Sequence, residues 1–199
     1  DKLIAATSAE VDARQTGGTG TNAEAERQTI AARIAIGALR YFMLKYTRNS
    51  VIAFDFKDAL SFEGETGPYI QYAVVRIRNI FRKGDTTAET VLDEFTKLAP
   101  SDIAGFLVGE SNNDIWSLWL RAGRFSLVLD QCIAASEPAY LAKHAFQLAQ
   151  EFANFYHNHH ILTEENPNRK TFLLATAAVT LRELVRALAL LGIESPEAM

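Results

Sequence analysis

The chain has 199 residues, 48% apolar and 22% charged, which is the composition of a globular protein with a buried core and excludes a wholly disordered segment. The formal net charge of −4 excludes a generally basic coat for nucleic acid but leaves room for a local basic face. The single cysteine, Cys132, excludes a disulfide framework and a cysteine-based structural metal site, and the most apolar stretch, residues 172–193, is too interrupted by Arg182, Glu183 and Arg186 to span a membrane.

In chain order the pattern is helical. Residues 1–15 read as a short helix, followed by a glycine-rich connection at Gly17, Gly18 and Gly20. Thr21 and Glu24 have the spacing of a capping box and open an alanine-rich helix to about Tyr46, with Ile30, Ile34, Ala38, Leu39 and Phe42 on its apolar face. Gly37 inside that helix costs roughly 1 kcal/mol against alanine, so it marks close packing. Residues 51–56 suit a short extended piece, and residues 55–62 one or two helical turns. A break at Gly64–Pro68 precedes a helix to about Lys83, with Pro68 in its first turn.

Helices are further predicted over residues 86–99, 101–108, 115–134 and 138–156. Residues 157–168 form a polar loop. A last amphipathic helix carries Leu173, Ala177, Leu181, Leu184, Leu188 and Leu191 on one stripe and ends at Gly192. No strand alternation competes with this, so the fold class is all-α, a helical bundle.

The segment 66–83 concentrates the chemistry. It holds Arg76, Arg78, Arg82 and Lys83 and no acidic residue, so it is strongly basic within an acidic chain. Ile70, Val74, Ile77 and Phe81 make its apolar stripe. Tyr69, Tyr72 and Arg76 follow helical spacing displaced from that stripe, so two phenols and a guanidinium share a face. Rings beside cations suit unstacked RNA bases and their phosphates. The same pattern is satisfied by tyrosines covering the edge of the core beside solvated arginines.

The cluster His157, His159 and His160, near Glu164 and Glu165, fits no zinc spacing and is expected to be a solvated helix end, so no metal site is assigned. Cys132 has no activating neighbour and reads as a core filler; Trp116 and Trp119 read as core packing. No set of residues for nucleophilic catalysis is present, and no catalytic residue is assigned.

Residues 54–55 and 59–72 with Arg76, including the run Thr66, Gly67, Pro68, Tyr69, Gln71 and Tyr72, resemble the entry to the anticodon-binding, DALR-type domain of arginyl-tRNA synthetases. Residues 36–41, 152–156 with 161–162, and 188–193 with 196–199 are similar to further blocks of that family in the same order. The resemblance implies a class I helical anticodon-binding bundle over residues 65–199, with residues 1–64 as the helical tail of a catalytic region. It implies a cytoplasmic enzyme that joins arginine to tRNA using ATP and Mg²⁺. The family's HIGH-type motif and lysine-bearing loop do not occur in this sequence. The chain is therefore expected to be a C-terminal portion, inactive alone and without a cofactor of its own, whose partners are the anticodon loop of tRNA(Arg) and the catalytic core of the same enzyme.

By the same resemblance Tyr69, Tyr72, Arg76, Tyr156, His160 and Met199 fall at the tRNA, and Gln71 supports either the turn or an RNA contact. Val74 and Val75 replace an Ala-His pair common in the family. Should residues 1–64 not stay folded without the core, apolar surface around Ile30, Ile34 and Phe42 would be exposed and drive a non-physiological dimer. The alternative function is a non-catalytic helical protein-interaction bundle, which would have no need of the basic tyrosine helix.

Overall fold

The computed structural model describes residues 5, 7, 21–109 and 112–199, with side chains 21–23 excepted. Of the helix expected over 1–15 only residues 5 and 7 are described, both helical; the glycine connection and the Thr21 side chain lie outside the described residues. From residue 21 onward every element is a helix, with no strand among the described residues: α1 Thr21–Leu44, α2 Phe56–Leu60, α3 Gly67–Lys83, α4 Ala88–Phe95, α5 Pro100–Phe106, α6 Asn113–Gly123, α7 Phe125–Ala135, α8 Ala139–Asn158, a 3-10 turn Ile161–Thr163, and α9 Pro167–Leu190.

Helix α9 is the hub, packing on α3, α4, α5, α6 and α8. Its residues from Phe172 to Thr180 are all buried. The predicted amphipathic stripe is therefore only part of a helix enclosed all round over its first half, and Leu181 stays half-buried. Thr176 and Thr180 tolerate this burial because each hydroxyl donates to the carbonyl four residues earlier, at 2.9 and 2.8 Å. Trp119 of α6 donates its indole N–H to the Thr176 hydroxyl at 2.9 Å and lies nearly parallel to Phe172.

Helix α3 starts cleanly because the Thr66 hydroxyl accepts from the Tyr69 amide at 3.3 Å. Ile70, Val74, Ile77 and Phe81 are all buried, as their spacing predicts. The α1–α3 crossing depends on two glycines. A Cβ at Gly67 would stand 2.5 Å from the Gly37 carbonyl oxygen, and one at Gly37 would stand 2.5 Å from the Gln71 amide. Tyr41 crosses the same junction, fully buried, and donates its hydroxyl to the Ala142 carbonyl at 3.0 Å.

Several expected boundaries shift. Residues 51–55 form no strand; Phe54 instead packs edge-on against Phe42 and Phe56. The helix expected over 86–99 ends at Phe95, and Pro100 opens α5 rather than closing α4. The single helix expected over 115–134 is two, broken at Arg124 so that Phe125 turns into the core. Leu39 points away from the buried face of α1, beside Ile36 and Met43, while Ile34 and Phe42 are buried. Trp116 is 53% exposed, so only Trp119 packs as expected, and Cys132 is half-buried against the core.

Candidate nucleic-acid interface

Along α3 the residues Tyr72, Arg76, Asn79 and Lys83 recur at spacings of four, three and four and present one face outside the buried stripe. Opposite them lie the end of α8 and the turn after it. The Arg76 guanidinium carbon sits 4.5 Å from the Tyr156 ring and 6.0 Å from the Tyr72 ring. Among the described residues Arg76 has no ion-pair or hydrogen-bond partner, so its charge remains available to a ligand. Tyr156 is half-buried and stacks at 6.1 Å on Phe152, which fixes the ring; Tyr72 is 42% exposed.

Two adjoining cavities share Arg76, Tyr156 and Leu162. The larger, of about 450 Å³, is walled by His157, His160 and Thr163; the smaller, of about 240 Å³, by Tyr72, Asn79, Lys83 and Met199. The turn forming the far wall is held from beneath, since Lys170 donates to the Leu162 carbonyl at 2.9 Å. His159 is turned inward instead, within hydrogen-bond distance of Asp114 at 3.0 Å. Burial opposes ionisation of Asp114, but hydrogen bonds from His159, Asn158 and the Ile115 amide outweigh it and hold the carboxyl below its ordinary range. The histidines therefore differ in exposure: His159 braces the helix end and borders the larger cavity only with its buried ring, and His157 and His160 are the exposed members of that wall. Among the described residues no group of three or more His, Cys, Asp or Glu is arranged to hold a metal ion.

Of the seven residues singled out from the sequence, the fold brings five together: Tyr72, Arg76, Tyr156, His160 and Met199. Tyr69 lines neither cavity. Its ring packs at 5.5 Å on Phe146, and burial raises its phenol pKa, with Arg76 pulling the other way. Gln71 has 0% exposure and is removed from the surface altogether; its amide nitrogen donates to the Arg33 and Glu194 carbonyls at 3.1 and 2.6 Å. Asn79 and Lys83 join the lining without having been singled out, although continuing the Tyr72–Arg76 spacing along α3 finds both. Leu162 carries no such signal, because its place depends on how the loop folds back.

An all-α bundle with an aromatic and cationic groove is what fold and site define. Residues 70–199 match the family described as the DALR anticodon binding domain, and the chain belongs to that family. It is similar to the arginine–tRNA ligase of Thermobifida fusca, 36% identical over 176 residues, covering 88% of this chain and 28% of that protein. It is also similar to that of Streptococcus pneumoniae serotype 19F, 35% identical over 173 residues, covering 87% and 28%. Among solved structures, Thermus thermophilus arginyl-tRNA synthetase superposes with a TM-score of 0.79 at 27% identity, covering all of this chain and 31% of that one. The chain thus spans about 28% of the length of the curated relatives it matches.

Proposed function

We propose that this chain binds the anticodon loop of tRNA(Arg) as the C-terminal portion of an arginine–tRNA ligase. The observation that carries this reading is the placement of the Arg76 guanidinium, unpaired among the described residues, between Tyr72 and Tyr156 at the junction of two cavities. Splayed bases stack on the rings or fill the cavities, and Arg76 and Lys83 attract phosphates. His160 and Met199 complete the walls. Tyr69 supports this face from behind, through Phe146, and does not itself take a base.

The joining of arginine to tRNA, with ATP and Mg²⁺, belongs in this reading to the remainder of a cytoplasmic enzyme. Residues 1–64 are its tail and residues 65–199 the RNA-binding bundle. The exposed face of α1 at Ile36, Leu39 and Met43 supports a contact with that remainder.

Photo-crosslinking of the chain to tRNA(Arg), with the joined peptides identified by mass spectrometry, tests the assignment. Crosslinks from anticodon-loop nucleotides should fall within residues 72–83 and 156–163. Crosslinks confined to the acceptor stem, or to α6 and α7, would remove the groove from the site.

A further inference from the structure

We propose that Gln71 is a positioning residue for RNA recognition: its buried amide pins the C-terminal tail, residues 192–199, so that Met199 stays in the cavity beside Tyr72. This rests on the function proposed above.

The tail leaves α9 at Gly192, whose φ of +68° turns the chain, and Ile193 anchors it in the core. Beyond that point it has no helix or strand to satisfy its carbonyls. Alternate carbonyls are instead taken by side chains of α1 and α3. Arg40 donates to Gly192, Gln71 to Glu194, and Arg78 to Pro196 at 3.1 Å. Arg33 adds an ion pair to the Glu194 carboxylate at 3.1 Å. Met199 then reaches two places at once: it packs against Ala31 and Ile34 of α1 and lines the smaller cavity with Tyr72 and Lys83.

Gln71 differs from the arginines in being inaccessible. Water can replace Arg40, Arg33 or Arg78 at the surface, but not a donor at a site with no exposure. Both of its partners are carbonyl oxygens, so the amide nitrogen must face them, and its two hydrogens are both used. The room for this amide exists because residue 37 is glycine. Gly37 and Gln71 thus form a matched notch and peg that joins α1, α3 and the tail. Gln71 acts on RNA only through what the tail delivers.

A double-mutant cycle on the 199-residue chain tests this, with binding measured to a tRNA(Arg) anticodon stem-loop. Gln71→Met keeps the volume and removes both donors; Met199→Ala removes the delivered side chain. Each should weaken binding roughly tenfold, and the double variant should lose no more than the weaker-binding single one. The salt slope should stay that of the unaltered chain, since neither residue is charged. Losses that multiply in the double variant, or undiminished binding by Gln71→Met, would overturn the proposal. Should Gln71→Met fail to fold, Met199→Ala and a chain ending at Ile193 decide: undiminished binding by both overturns it, and equal weakening by both supports it. An unaltered chain that does not distinguish the stem-loop from a scrambled loop would instead overturn the proposed function, and this inference with it.

Discussion

Tyr72 and Tyr156 offer a ligand different things. Tyr156 already stacks on Phe152 and carries Arg76, whereas Tyr72 is the more open ring. At ~1–3 kcal/mol per base–aromatic stack, Tyr72→Ala should weaken stem-loop binding about 5- to 150-fold while circular dichroism keeps its helical signal. Affinity unchanged by that substitution in a polarisation assay would take Tyr72 out of the site. Arg76→Ala should reduce the magnitude of the log–log salt slope by about 0.7, the effect of one lost phosphate contact to a single strand. A second residue matters to stability rather than to RNA. His144 is 4% exposed and its Nε2 has no partner among the described residues. Burial, helped by Arg121 and opposed by Glu183, lowers its pKa from 6.5 to about 4. Between those values the unfolded chain binds a proton that the folded chain refuses. Stability should therefore fall as pH drops from 6.5 to about 4, by about 3 kcal/mol at most, and His144→Gln should flatten the decline. Urea denaturation across that range reads it directly.

At the scale of elements, helix identity is legible in the sequence and helix ends are less so. The stripe Ile70, Val74, Ile77 and Phe81 fixes α3 because one face of it meets the core and the other meets solvent. Arg124 gives no sign that residues 115–134 divide, since both halves have helical periodicity and only the inward turn of Phe125 separates them. The all-round burial of α9 is equally hidden: Thr176 and Thr180 look like solvent-facing residues until their hydroxyls bond back to the helix. Gly37 signals a close approach, but not which group approaches. That contact gives a prediction with an internal control. Gly67→Ala drives a Cβ against the Gly37 carbonyl and should destabilise the fold by roughly 1–3 kcal/mol. Gly105→Ala, within α5 where nothing lies within 4 Å, should stabilise it by roughly 0.5–1 kcal/mol. Thermal melts in which both glycines respond alike would refute the packing described at the α1–α3 crossing.

Over the whole molecule the groove is assembled from three separate stretches of sequence: α3, the end of α8 with the turn after it, and the tail. Spacing alone finds the α3 contribution; Tyr156, His160 and Met199 come from family resemblance, and Leu162 from the fold. Gln71 shows the limit of such transfer, because a polar residue in a motif can serve the scaffold as readily as the ligand. With residues 21–44 folded as α1, Ile34 and Phe42 are inside, and Ile36, Leu39 and Met43 form its exposed apolar surface. If two copies of the isolated chain associate there, Ile36→Lys with Leu39→Lys should return them to a monomer by sedimentation, with RNA binding retained; an unchanged dimer would place the contact on another face. Binding of the chain to a tRNA(Arg) anticodon stem-loop beside a scrambled-loop control, at two salt concentrations, decides whether the groove reads RNA. Preference for the cognate loop, with affinity falling as salt rises, is the predicted result; equal affinity for the two loops, or binding indifferent to salt, would contradict it.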